Sequence, residues 1–201
     1  GVPLGILSAI RRNKMADYLS RVFSLIGLSA PSFYLGILLL LLFAVELDWF
    51  PIIGFSQSGG IARRMNHLFL PALSLGLTFA AFMARMSRST MLEKLSADYV
   101  RTARSKGVTE FKVIFKHALR DSLISIVTVI GIYVGVLMGG SILTEMVFSR
   151  PGLGKFLVGA IWQRDYNAIQ SGLVMYACII VLVNLTIDLL YGFIDPRIKY
   201  K

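Results

Sequence analysis

Two histidines, one cysteine, a glycine-rich turn and a polar pair inside an apolar run are the residues of this chain whose types could carry chemistry, and their spacing supports little of it. His67 and His117 are far apart, and each lacks a neighbouring Cys or paired carboxylate, so metal ligation is not expected. Cys178 lies in an apolar run without a sequence partner, which excludes a disulfide framework and a cysteine metal site and leaves the redox compartment undetermined. Gly152-Leu153-Gly154-Lys155 superficially suggests a phosphate loop, yet Ser149 stands at the leading glycine position and Phe156 follows the lysine, so no nucleotide site is supported. Asn184 and Asp188 share one face of an apolar segment, where they would contact substrate or ions or bond to neighbouring helices. The short distance from Asp188 to Asp195 favours the second role. Neither histidine falls inside a span beside a serine or aspartate, so no nucleophile–base pair for hydrolysis can be placed.

The most informative stretch is instead a basic one, Arg88 to Arg120, set between two long apolar spans. Lipid cannot host it, so it must stand at a membrane surface. Ala97 to Gly107 reads as a short helix stopped by a glycine suited to a left-handed cap. Thr109, a plausible N-cap followed by Glu110, then starts a second helix carrying Phe111, Ile114 and Phe115 on one side. With Tyr99, Val100, Ala103 and Phe111 patterned along them, two short helices at a fixed angle are expected to form a docking surface for a soluble partner.

The elements around this segment are those of a membrane protein. Hydrophobic residues make up 56% of the chain against 16% charged, and the mean hydropathy is +0.70, above the balance of a soluble globular domain. The formal charge of +10 does not signal nucleic-acid binding, because the basic residues lie between apolar spans and not on a water-facing domain. Four complete spans can be drawn at 19–45, 69–86, 122–142 and 172–194, each near the ~20 residues a hydrocarbon core demands. Pro31 should kink the first, and Pro71 falls near the start of the second, where a missing N–H costs little. Residues 1–10 are too short to cross and read as the tail of a truncated helix. One side of the spans collects 16 of the 21 Lys and Arg, which puts the 88–120 loop and the C-terminus in the cytoplasm. On the other side, Glu46 to Pro51 resembles an interfacial aromatic belt, and Lys155 to Trp162 is expected to form a short amphipathic helix.

With these residues in view, the chain resembles the membrane-spanning permease subunits of bacterial ABC importers of the dipeptide, oligopeptide, glutathione and nickel class. That family's loop motif is Glu-Ala-Ala, three residues, Gly, nine residues, Ile-x-Leu-Pro. With its glycine on Gly107, only Ala103, Gly107 and Leu119 agree with the general form. The peptide-class variant matches Asp98-Tyr99-Val100-Arg101-Thr102-Ala103-Arg104-Ser105-Lys106-Gly107 and His117 to Arg120 closely. Ser29 to Phe33, Leu70 to Gly76, Val147 to Leu153, Arg164-Asp165-Tyr166 and Asp195-Pro196-Arg197 match as well, so the likeness covers nearly the whole chain.

The resemblance implies an all-α polytopic bundle of the type I importer permease fold, one transmembrane domain over residues 1–201, lacking the family's N-terminal helix and the outer domain after it. It implies a non-enzymatic subunit of the bacterial inner membrane, paired with a second permease, bound to two cytoplasmic ATPase subunits that use ATP and Mg, and served by an extracytoplasmic solute-binding protein. Asp98, Tyr99, Arg101, Thr102, Ala103, Gly107 and Phe111 would couple to the ATPase. Gly131, Gly135 and Gly139, a small-residue stripe, would pack helices at or near the pathway. Arg150, Pro151, Gly152, Arg164 and Asp165 would belong to an outer gate or receptor contact. The solute is left open among dipeptides, longer peptides, glutathione and nickel complexes. The rival class, a secondary transporter or channel driven by an ion gradient, should carry paired intramembrane charges around broken helices, whereas Asp188 is the one acid deep in a span.

Overall fold

The computed structural model describes residues 1–52 and 60–194, and no strand occurs among them. The side chains at 140 and 188, and Asp195, Arg197, Lys199 and Lys201, lie outside the described residues. In chain order the helices are α1 (Val2–Ile10), α2 (Met15–Ser29), α3 (Ser32–Leu40), α4 (Ile61–Ser96), α5 (Asp98–Ser105), α6 (Glu110–Lys112), α7 (Leu119–Val147), α8 (Leu153–Gln163) and α9 (Tyr166–Ile194). Wider π-type turns at Leu41–Glu46 and Val113–Ala118 prolong α3 and join α6 to α7. Three helices are long and apolar enough to cross a membrane, or four if α2 and α3 are the halves of one broken span. Leu173, Val174, Met175, Val181, Leu182 and Leu185 of α9 are all exposed, an exterior suited to lipid and not to water.

The element boundaries differ from the sequence expectation for identifiable reasons. The span expected at 69–86 belongs to a 36-residue helix, about 54 Å long at 1.5 Å per residue and so longer than a hydrocarbon core of about 30 Å. Arg85, Arg88 and Lys94 end the apolar run without ending the helix, since Arg and Lys are good helix formers. Pro71 is therefore internal, not initial. Its missing N–H leaves the His67 carbonyl without an intrahelical donor, and the Arg150 guanidinium approaches that oxygen at 3.5 Å. Pro31 does more than kink the first span: α2 stops at Ser29, Pro31 is extended (φ −60°, ψ 144°), and α3 begins afresh.

The chain divides into two compact units, Gly1–Ser29 with Phe79–Tyr133 and Asn184–Lys201, and Ala30–Thr78 with Val134–Val183. In the first, Gly1, Gly5 and Ala9 recur every four residues along α1 and bring its backbone against Ala80 and Ala84 of α4, so close that a β-carbon at Gly1 or Gly5 would collide with α4 carbonyl oxygens. The α1–α2 turn is fixed by Asp17, whose side chain is fully buried. Arg88 of α4 grips it with two bonds of 2.6 and 3.0 Å, the Ser8 hydroxyl donates at 2.7 Å and the Asn13 amide at 2.9 Å. In the second unit, Ala44, Leu70 and Phe148 form the core. Phe43, Trp49, Phe50 and Phe69 make a continuous run of ring contacts beside it.

Removing one partner of a buried ion pair strands the other charge, which typically costs about 3–5 kcal/mol. Asp17→Ala should accordingly lower the thermal unfolding midpoint of the purified protein strongly, and Asp17→Leu combined with Arg88→Met should recover much of the loss. Scanning fluorimetry in detergent measures both.

Candidate coupling surface

The basic segment folds as an elbow within the first unit. Ala97 breaks from α4 into an extended residue (φ −68°, ψ 150°), and α5 follows at once. Val100 and Ala103, three apart and thus on one helical face, turn inward and join Ala9, Met91, Val113 and Ala118 in a buried cluster. Leu92, Leu95, Val108, Ile114 and Leu119 pack around it. The helix ends in a Schellman arrangement: Gly107 stands at φ +73°, its N–H bonds the Arg104 carbonyl at 3.0 Å, and the Val108 N–H reaches back to the Ala103 carbonyl at 3.2 Å. Apolar Ala103 and Val108, the pair that usually accompanies this motif, both belong to the same cluster.

Across the corner the Arg104 guanidinium forks onto the Glu110 carboxylate at 2.7 and 3.1 Å. This tie joins the segments on either side of Gly107. Thr109 is the N-cap of α6 as its position suggested, but its side chain makes no capping bond; the backbone is extended there and Val113 N–H bonds the Thr109 carbonyl at 3.0 Å. The chain then passes through the π-type turn into α7 with no break in helical bonding. Two long helices, α4 and α7, thus end on one small buried cluster.

What the elbow leaves outward is an aromatic and charged face. Phe111 is 70% exposed, and its ring lies 4.6 Å from that of Phe115, also exposed. Tyr99, Asp98, Arg101 and Thr102 are exposed on α5, the carboxylate of Asp98 being 3.6 Å from Arg101. Partial burial, reinforced by a hydrogen bond to the Asp121 carboxylate, pushes the Tyr99 phenol up to about 12. Of the residues assigned to coupling by sequence, Asp98, Tyr99, Arg101, Thr102 and Phe111 are exposed. Ala103 points into the core, and Gly107 sets the backbone turn.

The glycine stripe is not one surface. Gly131 is buried, with Ile187 of α9 only 2.5 Å from where its β-carbon would stand. Gly135 has open space there, but its carbonyl is 3.5 Å from the Tyr176 hydroxyl, and Gly139 is exposed with the same hydroxyl nearby. The residues assigned by sequence to an outer gate or receptor contact make two corners in the second unit. Arg164, left-handed at φ 55°, closes α8, and the Asp165 carboxylate accepts the Ala168 N–H at 3.0 Å to cap α9. Pro151 and Gly152 precede α8, whose first turn is held by Glu145 of α7: its carboxylate packs on Gly152, accepts the Lys155 N–H at 3.0 Å and takes the Ser141 hydroxyl at 3.2 Å. Glu145 and Asp17 escaped the sequence reading, and Arg104 and Glu110 entered it separately, as a motif residue and a first-turn acid, without their pairing. Only Arg104 and Glu110 left a signal there, standing three residues either side of Gly107. No group of three metal-ligating side chains gathers among the described residues.

The chain belongs to the family of inner membrane components of binding-protein-dependent transport systems, which it matches over residues 1–200. It is 40% identical to the di/tripeptide transport system permease protein DppB of Pseudomonas aeruginosa, 44% to the glutathione transport system permease protein GsiC of Escherichia coli K12, and 44% to the dipeptide transport system permease protein DppB of Alkalihalophilus pseudofirmus. Each alignment takes in 100% of this chain, which spans 63–66% of the length of these relatives.

Two outcomes follow from the elbow's geometry. Left-handed backbone costs a residue with a β-carbon about 1–2 kcal/mol, so Gly107→Val should destabilise the protein and Gly107→Asn much less, read by thermal unfolding. Because the folded state holds the Tyr99 proton more tightly than an ordinary phenol of pKa about 10, its contribution is complete below about pH 10 and is lost towards 12. Ultraviolet titration should show a tyrosine component near 12 that vanishes in Tyr99→Phe and moves down in Asp121→Asn.

Proposed function

We propose that this chain is the membrane-spanning permease subunit of an ATP-driven importer for peptides or related small solutes, and that it receives the work of ATP hydrolysis through the α5–α6 elbow. The supporting observation is the division of the elbow's faces: one side is sealed onto the ends of α4 and α7, and the other offers Phe111, Phe115 and Tyr99 to a partner. A stiff element held at one end by another protein and continuous at the other with a span can turn closure of that protein into helix movement.

In this reading two cytoplasmic ATPase subunits bind ATP and Mg, a second permease completes the pathway, and an extracytoplasmic binding protein delivers the solute. The relatives' names point to di- and tripeptides or glutathione as the class of cargo. The basic side of the spans, the elbow and the C-terminus face the cytoplasm. Arg150, Pro151, Gly152, Arg164 and Asp165 then lie on the outer side, where their corners orient α8 towards the receptor or gate. Gly135 and Gly139 stand at or near the pathway, and Gly131 serves helix packing.

Phe111→Asp should abolish co-purification of the ATPase and orthovanadate-sensitive uptake in reconstituted vesicles, while membrane insertion and the unfolding midpoint stay near wild type because the ring is exposed. Uptake that persists without ATP and collapses with the proton gradient would favour an ion-driven carrier instead.

A further inference from the structure

We propose that the cavity between α2 and α4 in the first unit holds the phosphate headgroup of an anionic phospholipid, with an acyl chain lying along Leu25 and Leu28. The cavity measures about 400 Å³ and is lined by Arg21, Arg85 and Arg88 together with seryl residues and these two leucines. Three guanidinium groups line it, and two of them share one carboxylate. Asp17 occupies Arg88 with both oxygens and reaches Arg21 at 3.4 Å, whereas Arg85 is exposed and has no ion-pair partner among the described residues. A net positive, fork-shaped donor set suits a phosphate oxygen pair.

The rest of the lining narrows the ligand to an amphiphile. Ser20 and Ser24 place short polar side chains on the buried face of α2, and Leu25 is exposed one position further on. Val22 and Ile26, also exposed, continue an apolar surface along the outside of the same helix. A free phosphate would find no use for that surface, but an acyl chain would bury it. Arg21 and Arg85 sit where two basic segments enter their spans, the level at which lipid phosphates lie.

The inference rests on the reading of the chain as a membrane subunit, so lipid retention and transport are measured on one preparation. The complex with its partner subunits is delipidated in detergent, offered phosphatidylglycerol or phosphatidylethanolamine, and examined by native mass spectrometry. Phosphatidylglycerol should be retained in preference, about tenfold less by Arg85→Gln, as expected for one lost charge-assisted contact, with a smaller loss by Arg85→Lys, which keeps the charge without the fork, and little loss by Arg11→Gln on the same basic side. Excess inorganic phosphate should not displace it. Equal retention of both lipids, equal loss in Arg11→Gln, or displacement by inorganic phosphate would overturn the proposal. Retention without ATP-driven uptake would count against the transport reading alone, and uptake without retention against the lipid site alone.

Discussion

Val100, fully withdrawn from solvent between Met91, Val113 and Ala118, makes the contact on which the elbow depends. Without it α5 would be an eight-residue amphipathic helix joined to α4 by one extended residue, too short to be stable by its own hydrogen bonds. Burying Val100 and Ala103 gives the helix a fixed seat, and the Schellman turn at Gly107 directs the chain back along that seat into α6. The Arg104–Glu110 fork adds a second tie, though its partial exposure makes it a minor contributor to stability. Rigidity therefore comes from the apolar cluster first and from the turn second.

Lipid imposes the complementary constraint. Within a bilayer every backbone polar group must be satisfied inside the protein, so irregularities persist only where a side chain or a neighbouring helix repairs them. Pro71 is such a case: the carbonyl it orphans is met by Arg150, a residue that sequence reasoning had assigned only to an outer gate. The corners at Gly152 and Arg164 follow the same rule, because Glu145 and Asp165 supply acceptors for the first N–H groups of the helices that begin there. The residues assigned by sequence to an outer gate or receptor contact thus have a structural duty of their own.

Much of the architecture was legible in the sequence because apolar length and the placement of Lys and Arg report directly on what lipid tolerates. The elbow was legible for a different reason, since a glycine after a short polar helix and a threonine–glutamate pair carry local signals. Boundaries were less so: α4 runs through Arg85, Arg88 and Lys94 because helix propensity does not stop where hydrophobicity does. The inward face of the elbow could not be told from its outward face, as Tyr99, Val100 and Ala103 of α5 and Phe111 of α6 are all apolar enough for either role. Asp17 and Glu145 stayed invisible because their partners lie at remote positions or on backbone amides, and no pattern in one sequence announces such a meeting.

The central claim is that the elbow moves as one body with α4, and its most direct test is a distance across their junction. With Cys178 replaced by serine, spin labels at the exposed positions Glu93 and Arg101 would be followed by pulsed electron resonance in the proposed complex with its ATPase partner, nucleotide-free and trapped with ATP and vanadate. The account predicts one narrow distance, unchanged between the two states, while distances from Arg101 to the ATPase change. A broad distribution, or a shift between 93 and 101 on trapping, would show a flexible hinge at Ala97 and contradict it.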